Sequence, residues 1–395
     1  MTEIKRSIFS GMQMLIDQCW ERNQAVVVED GVIKAIISAD MIKHHLPASR
    51  WEFPENCYLI PGLIDLHVHG AKGKDVMDAN EDALATITHA LAAEGITGFL
   101  ATTMTASMDR IEDVVRVVAR TMFNEKESNG KGAAILGLHL EGPFIAKDKM
   151  GAHSGEAVQL PDTKLMRRLQ DDANGAIKLV TLAPELRGAI PFIQTLHTMG
   201  IIASVGHTNA TYAETCAAIA AGCTHATHLF NAMSGLHQRE PGAVGALLLA
   251  NQVMAELIVD GLHLHPAIVE LSLRVKGKER LLLVTDAVRA KCLGDGRYEL
   301  GGQQVTVSAG KVTLDNGTLA GSTLRMPQAI KNMVQFSQCS LIDAIHMASL
   351  NPARVLKLDA RKGSIAVGKD ADLVVLNADL NVLLTMREGR EIYRE

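Results

Sequence analysis

The chain carries six cysteines, at positions 19, 57, 216, 223, 292 and 339, but no C-x-x-C pair. That excludes a zinc ribbon and a dithiol redox motif. Reduced thiols are expected, with Cys216 and Cys223 packed as small apolar residues of an Ala-rich helix. Aromatic residues are few (4%), and acidic residues outnumber basic ones, giving a net charge of −5. A nucleic-acid partner normally shows as a clustered basic excess, and none is present. There is no run of about 18 apolar residues, so no membrane span is expected. The first residues, MTEIKRSIFSGMQMLIDQCW, lack the basic region, apolar core and small-residue cleavage site of a secretory signal. A cytoplasmic protein is the expectation.

What is present is alternation. From about residue 58 to 355, short apolar runs alternate with Ala/Leu-rich helical patterns: YLIPGLIDLHVHG before EDALATITHALAAEG, ITGFLATTM before MDRIEDVVRVVARTMF, and so on to RLLLVTDAV. Strands alternating with helices imply parallel βαβ units, and about eight such units suit a closed (β/α)8 barrel better than an open sheet. The two ends differ in style. Residues 24 to 40 read as β-branched runs broken at Asp30-Gly31, a hairpin signal, and the C-terminal GKDADLVVLNADLNVLLTMREGREIYRE has the same short strands and turns. The expected fold is α/β: a (β/α)8 TIM-like hydrolase barrel over residues 59–358, interrupted by a β-hairpin insertion near 295–318. A small β-sandwich domain would be built from residues 1–58 and 359–395.

In such a barrel the C-terminal ends of the strands carry the chemistry. PGLIDLHVHG ends in His67 and His69, which alternation places on one face. GLHLEGPF ends in Glu141, ASVGHTNA in His207, THATHLFNAM in His228 and LLLVTDAV in Asp286. Taken singly, each histidine reads as a hydrogen-bonded core residue, and Asp286 as the N-cap of a helix starting near Ala287. Taken together, four imidazoles and two carboxylates on one rim form the mixture that a divalent metal site needs. His139 is expected deeper in its strand as barrel filling. His44, His45, His89, His197 and His346 are expected in helical or surface positions, and His225 pointing away from His228.

With these residues assembled, the chain resembles the amidohydrolase superfamily, and within it the group that deacetylates phosphorylated N-acetyl amino sugars. PGLIDLHVHG, GLHLEGPF with MGAHSG, VTLAPE, ASVGHTNAT, THLFNAM, GLHQREPGAVG, VDGLHLHP, LVTDA, GTLAGSTL and GSIAVGKDADLVVL carry the resemblance, in order, from about residue 60 to 375. It implies hydrolysis of the acetamide of N-acetylglucosamine 6-phosphate. It implies Glu141, His207 and His228 as principal metal ligands, His67 and His69 as a second metal position, and Glu141 as a bridge where many amidohydrolases use a carboxylated lysine. One or two divalent ions per subunit follow, with zinc, iron, manganese or cobalt open. Asp286 is the implied general base. His153, Asn231, Ala232, Arg239 and His263 are the implied substrate contacts, the last four near the phosphate, and a homodimer in which Arg239 reaches the partner's site is implied too.

Three rivals stay open at this point. The galacto isomer of the substrate differs only at C4, which motifs do not read. A cyclic-amide hydrolase would carry a lysine where Glu141 stands. A non-catalytic binding member would be expected to have lost one of the six rim residues.

Overall fold

The computed structural model describes residues 6–45, 47–128 and 130–395, without the side chains of 125–128. Eight parallel strands lie side by side in chain order: β1 (Leu63–Val68), β2 (Ile96–Thr103), β3 (Ala134–Glu141), β4 (Ile177–Leu182), β5 (Ile202–Val205), β6 (His225–Ala226), β7 (Met254–Leu257) and β8 (Leu281–Leu283). Their near-continuous apolar sequences suit strands covered on both faces. β1 and β2 are buried at every position. Helices follow the strands in turn: α1 (Glu81–Ala92), α2 (Met108–Ser128), α3 (Thr163–Asp172), α4 (Ala189–Thr198), α5 (Tyr212–Ala220), α6 (Gly242–Leu249), α7 (Pro266–Lys276) and α8 (Met326–Ser337). Their starts are written locally. Asn80 caps α1 by accepting from the Ala83 N–H, and Thr211 and Glu214 form a reciprocal capping box on α5.

Closure of the barrel happens at the end that matters. Beyond β8 the chain meets β1: the Asp286 N–H donates to the His67 carbonyl at 2.9 Å, and the His69 and Gly70 N–H groups both donate to the Ala287 carbonyl at 2.9 Å. Deeper down, the Thr285 hydroxyl donates to the buried Asp65 carboxylate at 2.6 Å. His67, His69 and Asp286 are therefore pinned to one seam by backbone bonds.

The chain ends build two stacked sheets. One holds Arg6–Ser10, Gln24–Glu29, Val32–Ser38 and Ser49–Glu52; the other joins Gln13–Ile16, Cys19–Glu21 and Tyr58–Pro61 to Leu373–Leu376, Val382–Arg387 and Arg390–Arg394. Phe9, Met14, Val26, Ile33, Leu59, Leu373, Val375 and Leu384 fill the space between them. The Asp30-Gly31 hairpin forms as the sequence predicts, with Glu29 opposite Val32 and both turn residues at positive φ. The α/β barrel with a β-sandwich from both ends is thus the observed architecture. Gly62 joins the two: a Cβ there would lie 2.3 Å from the Thr97 hydroxyl oxygen, so only glycine fits the close approach. The insertion after β8 is larger than a hairpin. It is a three-stranded antiparallel sheet, Gly296–Leu300, Gln303–Ser308 and Lys311–Thr313, leaning on the barrel mouth through a 2.7 Å bond from the Gln303 amide to the Ala152 carbonyl.

Candidate active site and metal centre

All six rim residues meet. His67, His69 and Asp286 form one group of donor atoms, and Glu141, His207 and His228 another, the donor atoms of each lying within 4.8 Å of one another. Glu141 stands between the groups. Its Oε1 is 3.1 Å from His207 Nε2 and 3.0 Å from His228 Nε2, while its Oε2 is 3.4 Å from His67 Nε2 and 3.2 Å from His69 Nε2. Asp286 Oδ1 lies 3.4 Å from His67 Nε2 and 3.2 Å from His69 Nε2. The β1 pair faces one way because period-2 alternation puts positions 67 and 69 on one side. The later donors get there differently. His207, His228 and Asp286 adopt φ of 47°, 31° and 48°, the left-handed region that non-glycine residues seldom enter, so the chain turns sharply off each strand and swings the side chain into the mouth. No helix starts at Ala287, which instead bridges Val68 and Ser322; Asp286 is therefore not an N-cap.

The donor chemistry fits a divalent cation. Burial alone would push Glu141 and Asp286 up, but the surrounding imidazoles prevail: Glu141 is held well below the usual carboxylate range, chiefly by His67 and His153, and Asp286 falls to about 2 beside His67 and His69. Against the same burial, the carboxylates raise His67 well above an ordinary histidine and His69 to about 9. The cluster is thus a knot of mutually stabilised positive and negative charge with Nε2 atoms aimed inward, and a metal ion can replace the protons as the positive partner.

The rim opens into a cavity of about 340 Å³ lined by His69, Glu141, His207, His228 and Asp286 and by His153, Asn231, Ala232 and His263, among others. His153 is held by Thr105, whose backbone N–H donates to Nδ1 at 3.0 Å, so Nε2 carries the proton and points to Glu141 Oε2 at 3.3 Å. Burial lowers its pKa to about 4 and keeps it neutral. His263 Nδ1 lies 2.7 Å from Asp260 Oδ2. Arg239 does not line the cavity. It sits exposed on a turn that Glu240 braces by accepting from the Tyr212 and Gly242 N–H groups. His139 fills the barrel interior against Thr181 at 2.7 Å. His225 departs from expectation: it is fully buried inside the barrel, 2.9 Å from the Ser204 hydroxyl, because the turn at His228 and not alternation separates the two histidines. Cys223 lies beyond α5 with its thiol donating to the Ala203 carbonyl, and Cys216 is half-buried within the helix.

Several participants escaped the sequence reading. Met104, Lys149, Ala152 and Leu300 line the cavity, and Glu256 lies beneath His67. The MGAHSG motif pointed near Ala152, whereas Glu256 in MAELIV carries no signal that separates it from an ordinary strand residue.

Comparison with known proteins agrees with this geometry. The Amidohydrolase family model matches residues 58–392. An N-acetylglucosamine-6-phosphate deacetylase from Bacillus subtilis is 43% identical over 93% of this chain and 92% of its own length. An N-acetylgalactosamine-6-phosphate deacetylase from Escherichia coli O157:H7 is 38% identical over 97% of this chain and 98% of its own. The crystal structure of N-acetylglucosamine-6-phosphate deacetylase from Pasteurella multocida superposes with a TM-score of 0.92 at 31% identity, covering 99% of this chain and 100% of that one. With a family model spanning most of its length and curated relatives aligned nearly end to end, the chain belongs to the amidohydrolase family.

Proposed function

We propose that the chain is a metal-dependent deacetylase that hydrolyses N-acetyl-D-glucosamine 6-phosphate to D-glucosamine 6-phosphate and acetate. The observation that carries this reading is the convergence of four imidazoles and two carboxylates, Glu141 between them, at the wall of a cavity of sugar-phosphate size. Glu141, His207 and His228 would hold one divalent ion and His67 with His69 a second; zinc, iron, manganese and cobalt all suit these donors. A bound divalent ion supplies Lewis-acid chemistry, lowering the pKa of a water and polarising an acyl oxygen.

The chain's own residues supply the rest. Asp286, ionised and facing the cavity, accepts the proton of the attacking water at a carboxylate oxygen and delivers it to the amine nitrogen as the C–N bond breaks. His153, neutral with its proton on Nε2, donates to the acetamido oxygen and orients it. His263, fixed through Asp260, and Asn231 with the Ala232 backbone N–H hold the phosphate, so that binding energy remote from the amide positions the reacting carbon. Arg239 completes the phosphate site from the partner subunit of a homodimer, consistent with its exposed position on a braced turn outside its own cavity. Six unpaired cysteines suit a reducing, cytoplasmic setting.

The galacto isomer is the second reading, favoured by the Escherichia coli relative. A comparison of kcat/KM on N-acetylglucosamine 6-phosphate, N-acetylgalactosamine 6-phosphate and both unphosphorylated sugars decides. The gluco phosphate is expected to lead. A lead for the galacto phosphate installs the second reading, and equal rates without phosphate remove the roles given to Asn231, Arg239 and His263.

A further inference from the structure

Glu256, on β7, is fully buried inside the barrel and does not line the cavity. Its Oε2 lies 3.0 Å from His67 Nδ1 and 3.0 Å from the backbone nitrogen of His228, two residues that belong to different metal groups. From these contacts we infer that Glu256 is a positioning residue that holds one donor of each metal group with a single oxygen, and so ties the two groups together. The inference rests on the reading that these groups bind divalent metal.

An imidazole can present either ring nitrogen to a metal, and which one is free depends on the bond the other makes. Oε2 accepts from His67 Nδ1, leaving Nε2 as the atom that faces His69, Glu141 and Asp286 at 3.3–3.4 Å. His228 has the opposite difficulty: its ring is placed by its backbone. At φ 31° it has left the strand ladder, and its N–H donates to the side chain of Glu256 on the neighbouring strand and not to a backbone carbonyl there. The next amide, the Leu229 N–H, donates to the Glu256 backbone carbonyl at 2.9 Å and keeps the turn on β7, so losing the side-chain bond loosens the His228 backbone that aims the imidazole without releasing the turn. The plainer role, a carboxylate buried to pair with His225, fits poorly, because Oε1 stands 3.8 Å from His225 Nε2, beyond hydrogen-bond reach.

The test compares Glu256→Asp with Glu256→Gln. Aspartate is shorter by one methylene, about 1.5 Å, and cannot span both contacts; glutamine keeps an oxygen at the same reach. Metal-stripped proteins are titrated with Zn²⁺ by competition calorimetry. Glu256→Asp should bind zinc about ten- to a hundredfold more weakly than wild type, and Glu256→Gln within about threefold. In a His67→Asn/His69→Asn background, where Glu141, His207 and His228 remain as a complete donor group beside Asp286, Glu256→Asp should still weaken zinc about tenfold, through the backbone of His228.

Wild-type affinity in Glu256→Asp, an equal loss in Glu256→Gln, or no effect in the His67→Asn/His69→Asn background overturns the inference. A readout in zinc-loaded wild type does not depend on any variant folding: ¹⁵N-histidine NMR should show His67 protonated at Nδ1, and a proton on Nε2 refutes it. Zinc binding is read without sugar. A chain that behaves as described yet leaves sugar phosphates intact keeps this inference and loses the hydrolase reading.

Discussion

Asp286→Asn removes the proposed proton carrier while leaving the backbone at residue 286 in place. Asparagine is nearly isosteric, and the backbone that places residue 286 does not depend on the side chain: its N–H is bonded to the His67 carbonyl at 2.9 Å and its carbonyl accepts from the Ser322 N–H at 2.8 Å. What disappears is a carboxylate ionised down to a pKa of about 2 at the cavity wall. A positioned general base or acid contributes about 10²- to 10⁴-fold. One carboxylate is asked to serve in both directions here, so the loss should sit near the upper end. That is about 5 kcal/mol of transition-state stabilisation at 1.36 kcal/mol per decade. The assay is acetate release under saturating and limiting N-acetylglucosamine 6-phosphate, with metal content measured on the same samples. The expected pattern is a kcat lower by three to four decades with KM little changed. The proposed phosphate contacts and His153 are untouched, and Glu141, His207 and His228 still offer a complete donor group. A kcat within about threefold of wild type, at equal metal content, would remove Asp286 from proton transfer.

Other consequences are as direct. His67→Asn with His69→Asn should lower bound divalent metal per chain and cut kcat at least tenfold, measured by elemental analysis beside turnover; undiminished metal and activity would show that the Glu141, His207 and His228 group suffices. Arg239→Ala should raise KM for the phosphorylated sugar, and mixing it with Asp286→Asn should restore activity if dimers form with one intact site, since each subunit supplies what the other lacks; no restoration by an exchanging dimer refutes the cross-subunit assignment. Gly62→Ala drives a methyl against Thr97 at the junction of barrel and sandwich. It should cost about 1–3 kcal/mol in denaturant unfolding, with zinc affinity unchanged in the folded protein.

Much of this was legible in the residues, for identifiable reasons. Alternation put His67 and His69 on one side without any knowledge of the fold, and the order of apolar runs and helices was enough for a barrel whose strands all end on one rim. Alternation failed where the backbone leaves the strand. β6 is two residues long, and the positive φ of His228 sends that ring to the mouth while His225 stays inside. In the insertion after β8, Gly301-Gly302 and Ala309-Gly310 each turn the chain, so it makes three strands and not the single hairpin that its turn residues suggest. Glu256 was invisible because its role exists only through the curvature of the sheet, which brings a β7 side chain beneath β1. Arg239 shows the converse. The resemblance implies it as a phosphate contact, but within one chain it stays outside the cavity.

The most direct test of the central claim is acetate release from N-acetylglucosamine 6-phosphate by protein stripped of metal and then reloaded with a divalent ion. The expected result is negligible turnover in the stripped protein, recovery on reloading, and one D-glucosamine 6-phosphate formed for each acetate released. Full turnover in demonstrably metal-free protein, or reloaded protein that leaves the acetamide intact, would contradict it.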